Sequence, residues 1–413
     1  MKILILQDDF SPYEKGGAGV IAFSLAEGFV KNGQEVFVIT TVQKKELAGS
    51  FIENGINVYR IYSNYHERWR SYLSLYNPPV IKEFKEIIKK IKPDIVHAHN
   101  IHYHLSYHCL KIARKFTDKV YLTAHDIMSF YPGTFTEFIN KKDLSCPQSF
   151  NYKVNSLMLI KAFTKRYNPF RNILVKFYLS KTKKVIAVSE ALKQALNQNG
   201  IGNCIVIHNG IDYSAWNVSE TDLNNFKQKY NLIDRDVVLF GGRLSGAKGG
   251  SIILEVMKKV IENNPKAILF VIGKKDIYAE KMLKQSASLS IKDNVIFSDW
   301  LNREQIKLAY NSANLVVIPS ICFDSFPNGN LESFASKKPV IATCFGGSRE
   351  IVKHGENGYI VNPFDLDNLA QKIKELLSDK NKEKQFGENG YKLISSSFSQ
   401  ENMIKNYTSL FFE

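Results

Sequence analysis

At 413 residues the chain favours two domains of about 200 residues each over a single one. Its composition, 44% hydrophobic and 23% charged, is that of a globular protein, and no run approaches the roughly 18 apolar residues that exclude anything but a membrane span. The net charge of +15 is lopsided: residues 1–200 hold 29 Lys and Arg against 16 Asp and Glu, whereas residues 201–413 hold 26 against 24.

That asymmetry points the first half at something anionic, namely a membrane surface, a nucleic acid or a phosphorylated substrate. A generally Lys-rich protein would give the same excess. No recognised nucleic-acid-binding motif accompanies the basic residues, so nucleic acid is not expected as a partner. The five cysteines are scattered and odd in number, which suits a reducing cytoplasm and argues against a disulfide framework.

The first residues, Met1–Leu6, read as a buried strand that meets Gln7-Asp8-Asp9 too soon for a signal peptide. Further strand candidates in the first half are Glu35–Thr40, Val58–Ile61, Ile95–Ala98, Val120–Thr123 and Val185–Val188. In the second half they are Cys204–His208, Val237–Phe240, Ile268–Ile272, Val295–Phe297, Leu315–Ile318, Val340–Ala342 and Gly358–Val361. Most are near-continuous β-branched runs, the pattern of parallel strands covered on both faces. Helical patterns lie between them, such as Val20–Asn32 with Ile21, Phe23, Leu25, Phe29 and Val30 apolar. The alternation restarts after about residue 205 without a sequence repeat. Two doubly wound α/β domains with ligands at the carboxyl ends of their strands are therefore expected. The last stretch, 401–413, is amphipathic and helical in pattern.

Taken in chain order, "KGGAGVIAFSLAEGF" (15–29) opens a helix right after the first strand. Gly16, Gly17 and Gly19 either let backbone amides approach a phosphate or form a tight turn; the spacing is not the dinucleotide fingerprint. His97, His99, His102, His104 and His108 cluster after Ile95–Ala98, but their spacing matches no familiar metal site and no metal is expected. In "TAHDIMSFYPG", His125 is placed to bond a substrate hydroxyl and Asp126 to order the loop; a purely structural pair is the alternative. The stretch 130–180 is weakly periodic and includes "KAFTKRYNPFRNILVKFYLSKTKK", whose cations and rings suit an anionic bilayer or, more plainly, a solvated basic helix face.

"GGRLSGAKGG" (241–250) joins a strand to the helix expected over Ile252–Ile261. Arg243 offers a planar fork and Lys248 a point charge for a leaving diphosphate, with Gly249 and Gly250 keeping the helix entrance open; an exposed turn is the bland reading. "FDSFPNGNLESFASKKPVIATCFGGSREIV" (323–352) sets Asp324 and Glu332 on either side of a Pro-, Asn- and Gly-rich loop. Glu332, at the start of a helix Leu331–Ser336, can accept two hydrogen bonds from a vicinal diol such as ribose. Asp324 would face a sugar at the other end of the ligand. The loop Phe326–Asn330 (Phe326, Asn328, Gly329, Asn330) and Leu331 would bring backbone amides against it.

These residues carry a resemblance over nearly the whole chain. The early Gly-Gly loop, the His-Asp after a strand, "GRLSGAKG", the carboxylate pair separated by seven residues, "KPVIATCFGGSREIV" and "GENGYIV" resemble retaining glycosyltransferases of family 4. The resemblance implies the GT-B fold, two Rossmann-like domains facing across a cleft. The acceptor-binding domain would span 1–205, with a C-terminal helix (395–413) packing back on it, and the nucleotide-sugar donor domain would span 206–394. It also implies that Arg243 and Lys248 bind the donor diphosphate, Glu332 the ribose hydroxyls, Asp324 and His125 the transferred sugar, and Gly16–Gly17 a donor phosphate or the acceptor.

No cofactor or metal is implied. The donor would be a nucleoside-diphosphate sugar and the acceptor a glycan or lipid-linked hydroxyl compound, handled in the cytoplasm with peripheral attachment to the inner face of the plasma membrane through the basic half. Two departures stand out: the first carboxylate of the pair is usually Glu rather than Asp, and the loop reads Phe-Pro-Asn-Gly-Asn where many members have Phe-Gly with aliphatics. A sugar-nucleotide epimerase or hydrolase, or a non-catalytic nucleotide-sugar-binding subunit, are the competing readings.

Overall fold

A computed structural model describes residues 1–12, 16–241, 244 and 246–412. The chain forms two units. Unit 1 takes most of residues 1–133, Asn151–Asn209 and the residues from Glu401 onward; unit 2 takes Thr134–Phe150 and Gly210–Gln400.

The strands of unit 1 are β1 (Lys2–Leu6), β2 (Glu35–Val42), β3 (Gly49–Glu53), β4 (Ile56–Tyr62), β5 (Ile95–Ala98), β6 (Val120–Ala124), β7 (Lys184–Ala187) and β8 (Cys204–Val206). They lie in the order β3-β4-β2-β1-β5-β6-β7-β8, and all their pairings are parallel except that of β3 with β4. The apolar runs of the sequence become strands because helices cover both faces: Ile3 to Leu6 are at most 1% exposed. The β3–β4 hairpin was not among the expected elements. Its turn, Asn54-Gly55, has both residues at positive φ, but β3 is an exposed edge strand with Ile52 78% accessible, so no alternation marked it. Cys204–His208 was expected as the first strand of the second half; the observed strand, Cys204–Val206, instead closes the unit 1 sheet beside β7. The short helix Glu190–Gln198 between β7 and β8 is a crossover that returns the chain to the same sheet.

The strands of unit 2 are β9 (Asp236–Gly241), β10 (Ala267–Ile272), β11 (Val295–Phe297), β12 (Leu315–Ile318), β13 (Val340–Thr343) and β14 (Gly358–Val361), parallel and ordered β11-β10-β9-β12-β13-β14. In each unit the order reverses beside the first strand: β1 lies between β2 and β5, and β9 between β10 and β12. The loops after those strands therefore diverge to opposite faces and leave space at the carboxyl ends.

The final helix, Gln400–Phe412, packs on unit 1, with Tyr407 and Phe411 each 1% exposed, the Tyr407 hydroxyl 3.0 Å from Thr123 Oγ1 and Phe411 against Tyr121. The weakly periodic stretch 130–180 resolves into helices Ser156–Phe163 and Arg171–Leu179 joined by a short 3₁₀ turn, preceded by an excursion, Thr134–Phe150, that belongs to unit 2. Arg171, counted by sequence among the surface cations, is 4% exposed and donates to the Met128 carbonyl at 2.5 Å. Among the described residues no helix is long and apolar enough to cross a membrane.

Candidate active site

Unit 2 gathers three of the expected residues at the carboxyl ends of β9 and β12. After β9 a single 3₁₀ turn, Gly246–Lys248, leads into the helix Gly250–Ile261. Gly249 at the junction has φ +82°, and a Cβ there would lie 2.1 Å from the Pro319 carbonyl oxygen. Glycine is required at that point by contact with the backbone after β12, which differs from the open helix entrance expected for it. The Ile321 amide donates to the Ala247 carbonyl at 2.8 Å, so the two loops are fastened together.

As a result the Lys248 Nζ lies 2.5 Å from the Asp324 Oδ2, which also accepts from the Ser320 hydroxyl at 2.8 Å. Asp324 is held from the other side as well: its carbonyl accepts from the Gly347 amide at 2.9 Å, and Gly346 pairs with it as an isolated bridge. Lys248 and Asp324 were singled out separately; the fold makes them an ion pair, the lysine one-third exposed and the aspartate nearly covered.

The helix that carries Glu332 runs Asn328–Ala335, three residues earlier than expected, because Pro327 is tolerated just ahead of the first turn. Glu332 thus sits in the second turn and not at the helix start. Its Oε2 accepts from the Tyr310 hydroxyl at 2.7 Å, and burial raises its pKa above the usual carboxylate range while that hydrogen bond pulls it back. Burial also pushes Tyr310 up, with the Glu332 charge adding to it, so the tyrosine is a fixed donor at neutral pH. Phe326, Asn330 and Leu331 are 6%, 0% and 1% exposed, so their side chains belong to the interior. Asn330 Nδ2 donates to the Ser348 hydroxyl. Asn328 and Gly329 are half-buried in the first turn. Arg243 lies outside the described residues.

Unit 1 holds the second group, at the carboxyl ends of β1, β5 and β6. The helix Gly17–Lys31 starts at Gly17, and Gly16 caps it in extended backbone with open space where a Cβ would point. His125 Nε2 is 2.9 Å from His99 Nδ1, and the two rings stack. Burial drives both below the ordinary histidine range, His125 to about 4, so both are neutral imidazoles at pH 7. Asp126 does order its loop: Oδ1 accepts from the Met128 amide and Oδ2 meets His102 Nε2 at 3.1 Å. Arg70 reaches the other ring nitrogen of His102 at 3.0 Å. A guanidinium can only donate, so His102 Nδ1 accepts and Nε2 carries the proton shared with Asp126.

The histidine cluster divides: the rings of His97 and His99 stay in contact, with centroids 4.1 Å apart, while the side chains bond to separate partners. His97 meets Thr123, His104 meets Ser63, and His108 meets Tyr178. No group of three metal-ligating side chains occurs among the described residues. Asp8, which sequence reading passed over, is 7% exposed and accepts the amides of Tyr103, His104 and Leu105 at 2.7 to 2.8 Å, with burial raising it to about 6. It shapes the loop that presents His99 and His102. Tyr310 and Ser320 were also missed. Ser320 could have been noticed four residues before Asp324; nothing in the sequence links Tyr310 to Glu332.

Two doubly wound parallel sheets are the architecture of the GT-B glycosyltransferases, and solved structures of that class match over the full chain. The chain belongs to the family 4, group 1 glycosyl transferases: the "Glycosyltransferase Family 4" model matches residues 15–215 and the "Glycosyl transferases group 1" model residues 222–393. Among similar proteins is an uncharacterized glycosyltransferase, MJ1607, of Methanocaldococcus jannaschii, 27% identical over 422 aligned positions that span 100% of this chain and 98% of that one. Sucrose-phosphate synthase from Thermosynechococcus elongatus shares the fold with a TM-score of 0.76 at 19% identity, covering 99% of this chain and 98% of its own. So does Anabaena HepE, solved in complex with UDP and glucose, with a TM-score of 0.72 at 20% identity and 99% of both chains covered.

Proposed function

We propose that this glycosyltransferase moves a hexose-type sugar from a nucleoside-diphosphate donor to a hydroxyl acceptor with retention at the anomeric carbon, and that it needs no metal. The observation that carries the reading is the set Lys248, Asp324 and Glu332 at the β9/β12 switch point. In this reading Lys248 meets the donor diphosphate and stabilises the charge that grows on it as the sugar leaves. Arg243 joins it, on the strength of the motif alone. Glu332, fixed by Tyr310, accepts from the ribose hydroxyls, and Asp324 contacts the transferred sugar. The backbone amides of Asn328 and Gly329 approach the donor. The complex of HepE with UDP supports a nucleotide in a fold of this kind.

No side chain is assigned as a covalent nucleophile, so the acceptor would attack on the face from which the nucleotide departs, its proton passing to the leaving phosphate. Unit 1 is proposed to receive the acceptor near His125 and the Gly16–Gly17 turn.

A thermal-shift screen against UDP, GDP, ADP and their sugar conjugates, with and without EDTA, tests the donor. A ligand at about 100 times its Kd adds about 2.7 kcal/mol, a clear upward shift. One nucleotide should stand out, unaffected by EDTA. Loss of the shift in EDTA would overturn metal independence, and no shift from any nucleotide would overturn the donor assignment. Release of nucleoside diphosphate only with acceptor present distinguishes a transferase from a hydrolase; donor binding with no release marks a binding subunit.

The acceptor is proposed to be lipid-linked or a polysaccharide precursor at an anionic membrane. Support comes from unit 1, where the helices Ser156–Phe163 and Arg171–Leu179 leave Leu157 78%, Phe170 65% and Ile173 66% exposed among the exposed Lys161, Lys165, Arg166 and Lys176. Apolar groups set among cations suit the headgroup boundary. Replacing those four cations with Gln should weaken binding to phosphatidylglycerol vesicles, with the wild-type affinity falling as salt rises. Equal binding at low and high salt would refute the interfacial reading.

A further inference from the structure

The excursion Thr134–Phe150 belongs to unit 2 although the chain on both sides of it belongs to unit 1. It is fastened past the end of β14, where Asn362 Nδ2 donates to the Asp143 and Ser145 carbonyls, each at 2.8 Å. The rings of Phe138 and Phe150 pack on Phe345 with centroids 6.0 and 5.7 Å away. Cys344, just before Phe345, donates its amide to the Val361 carbonyl at 2.9 Å. Residues 361 and 362 thus hold Cys344 on one side and the segment ending in Cys146 on the other.

The two thiols are neighbours there, each acting on the other's charge. Arg349 lies over the Phe150 ring at 5.8 Å with its charge acting on both sulfurs, and its buried Nε has no hydrogen-bond partner among the described residues. Cys146 is half-buried and Cys344 buried. Such a pair has the parts of a thiol–disulfide couple: a reachable sulfur whose thiolate a neighbouring donor and a cation stabilise, and a second sulfur in contact with it.

We propose that Cys146 and Cys344 are a reversible thiol–disulfide pair, with Cys146 the attacking thiolate and Cys344 the resolving thiol, closed by a low-molecular-weight disulfide such as oxidised glutathione. The Cys146 thiolate attacks one sulfur of the glutathione disulfide. That S–S bond breaks, a mixed disulfide forms on Cys146, and one glutathione thiolate leaves and takes a proton. Cys344 then gives up its proton to solvent and attacks the Cys146 sulfur, expelling the second glutathione thiolate. Two electrons pass from the cysteine pair to the glutathione disulfide, leaving one protein disulfide and two glutathione thiols.

The neighbouring Cys344 thiol, helped by Arg349 and opposed by burial, holds Cys146 down to about 7, whereas burial pushes Cys204 and Cys322 up to about 11 and 12. The bond would tie the excursion to the residues just ahead of Gly346-Gly347, which hold Asp324. Oxidation state is thereby written next to the proposed donor site.

The test uses the full chain and needs no substrate. It is incubated with oxidised glutathione at pH 7.5, acid-quenched, alkylated and peptide-mapped. Two of the five thiols should be lost, a 146–344 cross-linked peptide should appear without a lasting glutathione adduct, and the melting temperature should rise and return with dithiothreitol. The variant C344S should instead keep glutathione on Cys146. In the reduced protein Cys146 should react with iodoacetamide at pH 7 about 10-fold faster than Cys204 or more. A glutathione adduct that persists on Cys146 in the unmutated chain, cross-links formed equally by other cysteines, or five unreacted thiols would each overturn the proposal.

Discussion

Replacing Lys248 with alanine is expected to lower kcat by about 10²- to 10³-fold, equivalent to about 2.7–4 kcal/mol of lost transition-state stabilisation. The size follows from the surroundings of the ammonium group. It is tied to Asp324 at 2.5 Å, so its position is set before any ligand arrives and little reorganisation is left to pay for during the reaction. Among the described residues, removing it also leaves the Asp324 carboxylate with a neutral donor, Ser320, beside the place proposed for a departing diphosphate. Repulsion then adds to the lost attraction.

The double variant Lys248→Ala/Asp324→Asn should for that reason lose less than the sum of the two single variants. Nucleoside-diphosphate release at saturating donor and acceptor measures the effect. Unchanged turnover in Lys248→Ala would remove the lysine from the leaving-group role, and strict additivity would separate it energetically from Asp324.

The second large effect is expected at a residue with no side chain. Gly346 has φ +102°, and a Cβ there would lie 2.1 Å from the Asp324 carbonyl oxygen and under 3 Å from its nitrogen and carbonyl carbon. Backbone cannot swing aside as a side chain can, so Gly346→Ala must push the 324 segment away from β13. Strain of that kind costs about 3 kcal/mol or more in stability. A shift of about 1 Å at Asp324 would lower activity by about 100-fold in the protein that remains folded.

Gly355→Ala provides the control. Its φ is +81°, but nothing lies within 4 Å of the added carbon, so it carries the backbone penalty alone, about 1 kcal/mol, and should leave turnover intact. Thermal unfolding and turnover of the two variants side by side decide the matter. If Gly346→Ala behaved like Gly355→Ala, the contact with Asp324 would not matter to the site.

Much of the architecture was legible in the residues. The runs Ile95–Ala98, Val295–Phe297, Leu315–Ile318 and Gly358–Val361 match observed strands residue for residue, because strands packed beneath helices are largely apolar. β3 was not legible, since an exposed edge strand has no buried face to pattern it. The helix carrying Glu332 was placed too late because Pro, Asn and Gly read as a loop. Here Pro327 ends the loop, and Asn328 and Gly329 already form the first turn. Of the site, Lys248, Asp324 and Glu332 could be picked out by residue type and spacing, and Ser320 by its place four residues before Asp324, whereas Tyr310 and Asp8 could not.

By itself, then, the sequence determined the alternation of strands and helices, the two doubly wound sheets and the family to which the chain belongs, because burial and turn chemistry act locally and leave a periodic trace. Which groups meet was decided only by the tertiary structure. Lys248 reaches Asp324 because β9 and β12 are neighbours in a sheet whose order reverses between them. Of five histidines within twelve residues, His97, His99 and His102 turn to Thr123, His125 and Asp126 at the end of β6, while His104 and His108 turn to Ser63 and Tyr178 on other elements. Cys146 finds Cys344 because an excursion of the first half packs on the second unit. Contacts between residues distant in the chain carry no period, and a local pattern has no means of recording them.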